Sequence, residues 1–217
     1  MIQCTKSEAV KEISSTLNSI ANQKTLVFLS GGSSAEIGVR ALANINSGLK
    51  HNITVMLVDE RYVEYNSPHC NGKLLKELGV SNYCNEFVET VLPEKMAIDS
   101  TVSLFRENIL EYSTHSKSVV TIFGVGLDNH IAGILPNSQA AKSKELIATS
   151  YFTEKFSRIT ICPAFFNKIN KAYIYAEGND KLDAVEAVSK NLSYINYPSQ
   201  LVKNCNNWNV LFNKEKL

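Results

Sequence analysis

A short loop at residues 124–130 brings a histidine and a carboxylate together. Asp128 and His130 lie close in sequence, directly after the apolar run Val119–Phe123. Imidazole titrates near neutral pH, so it can take a proton from water and return it to a leaving group, and a nearby carboxylate can orient the ring. We therefore expect His130 to act as a general base beside Asp128; a loop histidine bonded to a backbone carbonyl is the alternative. That alternative is our interpretation of the other histidines: His51, His69 and His115.

Glycines and serines form a second candidate site. The segment Ser30-Gly31-Gly32-Ser33-Ser34 follows the apolar run Thr25–Leu29 and precedes a helical pattern. Glycine lets the backbone turn sharply and approach a ligand, and a helix that starts there directs unpaired N–H groups toward it. This arrangement suits a phosphate group, whereas a plain strand-to-helix turn is the alternative. The loop lacks the Gly-Lys-Ser/Thr ending of a Walker A motif.

A third candidate is the charged tripeptide Asp59-Glu60-Arg61, which follows the run Ile53–Val58. The guanidinium of Arg61 can bind a phosphate or carboxylate through two hydrogen bonds. A solvated loop with a local ion pair is the alternative, and it suits Asp59 taken alone better than it suits Arg61. Lys181 is a further cation at a predicted helix start, where the helix dipole slightly disfavours a positive charge.

Other site chemistries find no support in the sequence. It contains no G-x-S-x-G or H-E-x-x-H motif and no Cys/His spacing typical of a metal site. Gly124 and Gly126 match the first two glycines of a dinucleotide fingerprint, but residue 129 is asparagine and no long helical pattern follows at once. We expect no metal and no organic cofactor.

The candidate residues lie between alternating strand and helix patterns. Predicted strands end just before the loops at 30–34, 59–71 and 124–130, and ligands bind beyond the carboxyl ends of parallel strands. The alternation predicts an α/β domain with a mostly parallel, doubly wound, Rossmann-like sheet and helices on both faces. The predicted strands are 25–29, 53–58, 119–123, 158–162 and 172–176; the predicted helices are 6–22, one from Ser33, 71–78, 101–112 and 180–192, with capping boxes at Thr5/Glu8 and Ser33/Glu36.

Composition limits the classes of partner. The 217 residues fit a single domain spanning 1–217, and 44% hydrophobic residues suffice for a core. A net charge of +1 offers no field for nucleic acid or an anionic membrane, so a bound anion needs a local cluster of donors. Five scattered cysteines argue against a disulfide framework, and no apolar run reaches bilayer length. We expect a cytoplasmic protein, a monomer or weak homodimer, without nucleic-acid or membrane partners.

Five ordered motifs give the chain a specific resemblance to a known family. Leu29-Ser30-Gly31-Gly32-Ser33 resembles a phosphate loop, Asp59-Glu60-Arg61 a D-E-R motif, and the segment 126–136 a G-x-D-G-H-x-A motif. Arg158-Ile159-Thr160 and Gly178-x-x-Lys181 match R-x-T and G-x-x-K. Over residues 26–185 the chain resembles the glucosamine-6-phosphate isomerase/6-phosphogluconolactonase family, and its lactonase branch in particular.

The resemblance implies hydrolysis of 6-phospho-D-glucono-1,5-lactone to 6-phosphogluconate, a step of the oxidative pentose phosphate pathway. It implies that the phosphate lies against Gly31, Gly32, Ser33 and Ser34, with Arg61 and Lys181 as cationic partners and His130 as the base. It also places Asp59 in the substrate site, and it gives Arg158 a role in binding the phosphate or bracing the site. Asn71 matches the asparagine of a Ser-Asn pair in which Cys70 replaces the serine.

Three departures from the family pattern are visible. Asn129 replaces a glycine, Gly133 stands where serine is common, and residues 150–157 lack the usual prolines. Asparagine suits position 129 if the backbone there is left-handed.

Two alternative functions are considered, one within the same family and one from another class. The deaminase branch of the family has a glutamate five residues after its histidine, where this chain has Leu135, and D-E-Y where this chain has Asp59-Glu60-Arg61. A non-catalytic sugar-phosphate sensor would need a partner-binding module, for which we expect no room beyond the sheet.

Overall fold

The central sheet of the computed structural model, which describes residues 1–215, has seven strands. The strands of the protein are β1 (Ile2–Gln3), β2 (Thr25–Leu29), β3 (Ile53–Leu57), β4 (Asp59–Tyr62), β5 (Glu86–Val88), β6 (Ser118–Gly124), β7 (Ala148–Phe152), β8 (Ser157–Ile161), β9 (Lys171–Glu177) and β10 (Trp208–Asn213). The order in the central sheet is β1-β10-β9-β6-β2-β3-β5, and every neighbouring pair is parallel. The α-helices are α1 (Lys6–Ile20), α2 (Ser33–Ala43), α3 (Asn71–Glu77), α4 (Ile98–His115) and α5 (Leu182–Ser189).

Helices cover both faces of this sheet. Successive side chains of a strand point to opposite faces, so a sheet buried on both sides needs two apolar sets. Leu26 and Phe28 of β2 belong to the buried cluster that α4 and α5 cover. Val27 and Leu29 belong to the cluster that α1, α2 and α3 cover. The doubly wound α/β fold predicted from the sequence is therefore confirmed.

A second sheet, antiparallel and three-stranded in the order β4-β8-β7, was not predicted. The predicted loop at 59–71 begins with strand β4, because the chain leaves β3 at Val58 and pairs with β8. The predicted strand 158–162 lies in this sheet and not among the parallel strands. The loop expectation for Asp59-Glu60-Arg61 was wrong because consecutive charges are typical of a loop, whereas the strand expected at 158–162 is confirmed as β8. Here hydrogen bonds to the antiparallel partner strand satisfy the backbone of the charged tripeptide. Its side chains line a cavity or bond to the start of a helix.

Helix boundaries also differ in part from the predictions. Thr5 and Glu8 form the expected capping box. The box expected at Ser33 is wrong, because Gly32, with a φ of 70°, is the N-cap residue and makes no side-chain capping bond. The predicted helix 180–192 is a 3-10 turn, Asn179–Lys181, followed by the shorter α5.

The strand order brings three loops to one edge. Strands β9, β6 and β2 are adjacent and parallel, so the segments after Glu177, Gly124 and Leu29 leave the sheet side by side. Strand β4 follows β3, the next strand in the sheet, so the charged tripeptide begins at the same edge.

Among the residues that the structure describes, no helix combines the length and the apolar character needed to cross a membrane.

Candidate active site

A cavity of about 180 Å³ lies beyond the carboxyl ends of the parallel strands. It brings together every predicted site residue except Asp128, namely Gly31, Gly32, Ser33, Ser34, Asp59, Arg61, Asn71, His130, Arg158 and Lys181. Asp128 contacts the site through His130. The lining also includes residues of the predicted loops and motif that were not singled out as site residues: Ser30, Gly124, Val125, Gly126 and Ala132. Tyr175 and Ala176 complete the lining, and the sequence did not indicate them because they belong to the buried strand β9.

The histidine and the carboxylate form a close pair. His130 Nδ1 lies 2.6 Å from Asp128 Oδ1, and the same oxygen accepts a hydrogen bond from the His130 N–H at 3.2 Å. The hydrogen bond from His130 lowers the pKa of Asp128 to about 2, so this carboxylate is ionised at neutral pH. An ionised partner requires the proton on Nδ1, which leaves the lone pair of a neutral ring on Nε2.

Gly126 makes this pair sterically feasible. A Cβ at residue 126 would lie 2.0 Å from His130 Nδ1 and 2.3 Å from Asp128 Oδ1, far inside van der Waals contact. The Gly126 N–H also donates to the His130 carbonyl at 2.9 Å, which closes the turn. Gly126 is thus a structural requirement of the pair rather than part of a dinucleotide motif.

Two arginines lie side by side on the antiparallel sheet. Arg61 of β4 is directly opposite Arg158 of β8, and both line the cavity. Like charges placed opposite each other repel, so this register is unfavourable unless an anion lies between them. Asp59, on the same face of β4, supplies part of that charge, with its Oδ2 at 3.6 Å from Arg158 Nη1. Burial raises the pKa of Asp59, and the charges of Arg158 and Arg61 oppose that shift.

Asn71 bonds to Arg61 and Asp59 and packs closely against the glycine loop. Its Oδ1 accepts a hydrogen bond from Arg61 Nη1 at 2.8 Å, and its Nδ2 donates to the Asp59 carbonyl at 3.0 Å. Asn71 is buried, and a Cβ at Gly31 would lie 2.1 Å from its Oδ1. Both amide atoms of Asn71 are therefore already engaged within the protein, and Gly31 is needed for this close approach.

The buried carboxylate of Glu60 anchors α3 beneath the site. It accepts hydrogen bonds from the N–H groups of Arg61, Asn71 and Gly72, each at 2.7 Å, and from Cys70 Sγ at 3.2 Å. Burial raises the pKa of Glu60, and these donors oppose the shift. Burial also raises the pKa of the Cys70 thiol to about 11, which makes it a poor nucleophile.

Lys181 approaches from the opposite wall. It is the N-cap residue of α5, and its Nζ donates to the Val125 carbonyl at 2.7 Å. The ammonium group therefore lies beside the turn that carries His130 while its residue lines the cavity.

The structure accounts for two departures from the family pattern. Asn129 has a φ of 67°, the left-handed conformation expected for it. A Cβ at Gly133 would lie 2.8 Å from the Cβ of Thr160 and 3.0 Å from that of Asp59. The Gly133 N–H donates to Thr160 Oγ1 at 3.0 Å, so β8 packs directly against this backbone.

Backbone N–H groups of the 124–130 loop are largely engaged within the loop. Those of Gly126 and Asn129 bond to carbonyls of the turn, and that of His130 bonds to Asp128 Oδ1. These three N–H groups are therefore engaged within the turn rather than directed at a bound ligand.

Two larger grooves lack this chemistry. One of about 590 Å³ is lined by residues 62–65, 91–96 and Thr101, and it contains neither an arginine nor a histidine. Another of about 790 Å³ shares only Arg158 with the site. Charge and donor geometry, rather than size, distinguish the smaller cavity.

Within residues 1–215 no three His, Cys, Asp or Glu side chains are placed to hold a metal ion.

The fold and the site define an α/β protein whose sheet edge presents a cavity lined by three cationic side chains and a histidine bonded to a carboxylate. The sequence profile described as glucosamine-6-phosphate isomerases/6-phosphogluconolactonase matches residues 3–211. The chain belongs to this family, and the resemblance found in its motifs is confirmed.

Relatives and solved structures agree with this assignment. A protein named probable 6-phosphogluconolactonase from Dictyostelium discoideum is 28% identical over 218 residues, which cover 94% of this chain and 92% of the relative. The crystal structure of 6-phosphogluconolactonase from Thermotoga maritima has a TM-score of 0.80 and 19% identity, with 99% of this chain and 98% of that chain covered. A monomeric glucosamine-6-phosphate deaminase has a TM-score of 0.78 and 13% identity, covering 99% and 97%. The fold alone thus does not separate the two branches.

Proposed function

We propose that the protein hydrolyses 6-phospho-D-glucono-1,5-lactone to 6-phosphogluconate. The observation that carries the proposal is a single cavity that combines Arg61, Arg158 and Lys181 with a histidine bonded to an ionised carboxylate. The substrate offers the two matching groups, a phosphate dianion and an electrophilic carbonyl carbon at the other end of the sugar.

The cations and the glycine loop bind the phosphate in this proposal. The N-terminus of α2 adds backbone N–H donors and the positive end of its dipole. Arg61 and Arg158 face each other across β4 and β8, and a dianion between them removes their repulsion. Anchoring the phosphate holds the lactone ring near His130 and converts the reaction with water into an oriented, local one.

His130 then acts on water. Its Nε2 takes a proton as the water oxygen attacks C1, which gives a tetrahedral oxyanion and an imidazolium stabilised by Asp128. The oxyanion collapses, the bond between C1 and the ring oxygen breaks, and the imidazolium returns the proton to that oxygen. The product is the open-chain acid, which loses its own proton to solvent.

The site supports the lactonase reaction over the deaminase reaction. Ring opening of an amino sugar needs an additional proton-shuttling carboxylate, and the residue in the position of the deaminase glutamate is Leu135. This apolar side chain packs against the core and lines a different groove. Ester hydrolysis by an activated water has no such requirement.

A coupled assay separates these functions. The lactone is generated fresh from glucose 6-phosphate, its spontaneous opening is subtracted, and the same preparation is offered glucosamine 6-phosphate. The proposal predicts saturable lactone hydrolysis and no ammonia release from the amino sugar. Ammonia release would support the deaminase alternative, and stabilisation by sugar phosphates without turnover would support the sensor.

We also propose a cellular location and an oligomeric state for the protein. Free thiols at all five cysteines suit a reducing compartment, so we place the enzyme in the cytoplasm. Light scattering coupled to size exclusion tests the proposed state of a monomer or weak homodimer.

A further inference from the structure

The turn that carries His130 is tied to a distant part of the chain by a residue that departs from the family pattern. Asn129 immediately precedes His130 and is buried. Its carbonyl accepts a hydrogen bond from the Ser199 N–H at 2.9 Å, and its Oδ1 accepts one from the Ser199 hydroxyl at 3.2 Å. A glycine at position 129 makes only the first of these bonds, so the second belongs to this sequence.

Ser199 is itself firmly held. It is fully buried in the 3-10 helix Pro198–Asn204, next to Gln200. The Gln200 Nε2 donates to the Ala187 carbonyl of α5 at 2.6 Å. The other end of α5 is anchored by the Lys181 Nζ, which donates to the Val125 carbonyl. The chain from 181 to 200 therefore contacts the His130 turn at both of its ends.

We propose that Asn129 and Ser199 are positioning residues that fix the orientation of the His130 ring; this inference rests on the proposed function of His130. Gly126 packs directly against the pair of His130 and Asp128, and the residue linking those two along the chain is Asn129. A turn free to shift by a fraction of an ångström moves Nε2 relative to the bound lactone, and general base catalysis is sensitive to such displacements.

We call the side-chain hydrogen bond between Asn129 and Ser199 the tether. Three variants test it: Asn129→Gly, Ser199→Ala and the double variant. Glycine tolerates the left-handed backbone, so Asn129→Gly removes the side-chain bond without adding strain. We expect each single variant to lower kcat by about three- to tenfold, with KM for the lactone changed by less than about twofold. The double variant should lose no more than the larger single loss, because both changes break one bond.

Two controls separate positioning from general stability. Ser14→Ala removes another buried hydroxyl, one that bonds only within α1, and should leave kcat unchanged. The affinity for inorganic phosphate should also be unchanged in the tether variants, since the cations of the cavity remain in place. A kcat equal to the native value in either single variant would overturn the inference. So would a loss of kcat in the double variant equal to the product of the two single losses.

A second readout does not depend on turnover. Amide hydrogen exchange of Gly126, Asn129 and His130 reports whether the turn is held. We expect faster exchange at these amides in both single variants and unchanged exchange in Ser14→Ala. Unchanged exchange in the tether variants would refute the tether even if the native chain hydrolysed no lactone. If exchange is faster in the variants but the native chain has no lactonase activity, the tether stands and only the proposed function is refuted.

Discussion

Hydrogen bonds with neighbouring residues fix the side chains of His130 and Arg61 in the site. Asp128 Oδ1 bonds to Nδ1 of His130, so only Nε2 is left to act as the base in the proposed reaction. Arg61 directs Nη1 to the carbonyl of His69 and to Asn71 Oδ1, which fixes its guanidinium plane. Residue types and spacing predicted the participants. They could not show these pairings, because each depends on side-chain rotamers and, for Asn71, on how α3 packs against β4.

Replacing Arg61 should affect binding more than chemistry. In Arg61→Ala we expect KM for the lactone to rise by about tenfold or more, with a smaller change in kcat, because a phosphate contact is lost in both ground and transition states. Arg61→Lys should rescue little of this loss, since an ammonium cannot bond Asn71, the His69 carbonyl and a phosphate in one plane. Steady-state kinetics of both variants provide the check; an unchanged KM would exclude Arg61 from phosphate binding.

Acid should remove the contribution of the Asp128 carboxylate to stability. Its pKa is lowered from 3.8 to about 2 in the folded protein, so the carboxylate stabilises the fold above pH 4 and loses this effect as pH falls toward 2. The difference in urea midpoint between the native chain and Asp128→Asn should therefore be present at pH 6 and shrink between pH 4 and pH 2. The effect is small because the side chain is half exposed. A difference independent of pH would contradict the assigned bond.

At the scale of elements, a helix or strand end fixes most of the site residues in place. The periodic patterns correctly predicted β2, β3, β6, β9 and the helices, because those segments are buried on one or two faces. Strand β4 escaped prediction because its partner β8 lies about a hundred residues away along the chain, and only that pairing makes a charged tripeptide extended. Strand β10 did carry a signal in its apolar run Val210–Phe212. Strands β1 and β5 are too short for periodicity to show.

The glycine of the His130 turn provides a test at this scale. Gly126→Ala should disrupt the pair of His130 and Asp128, since the added methyl group would overlap both side chains. We expect kcat to fall by about 10²-fold or more, comparable to loss of the base itself. The matched control is Gly48→Ala, where the nearest atom to a new Cβ, Asn46 Oδ1, is 3.7 Å away. Full activity in Gly126→Ala with an intact fold would show that the pair is dispensable.

At the scale of the whole molecule, the site lies where the two sheets meet. The parallel sheet supplies the glycine loop, His130 and Lys181, and the antiparallel sheet supplies the two arginines. The sequence predicted both sets as site residues and the edge on which the first set lies, since parallel strands end together. It did not predict the antiparallel sheet, so the position of Arg158 opposite Arg61 could not be foreseen.

A ligand that contacts both sheets should stabilise the native state by mass action. We expect 6-phosphogluconate at a hundred times its Kd to add about 2.7 kcal/mol to the free energy of unfolding. Gluconate without the phosphate should add almost nothing at the same concentration, and Arg61→Ala should weaken the response. Thermal denaturation measures all three; equal stabilisation by gluconate would argue against a phosphate-binding cavity.

The most direct measurement compares the native chain with His130→Asn in the coupled lactone assay, after subtraction of spontaneous opening. If His130 takes the proton of the attacking water, kcat falls by about 10²- to 10⁴-fold while KM changes by less than about threefold. A kcat within about threefold of the native value, in a variant that still binds 6-phosphogluconate, would contradict the account.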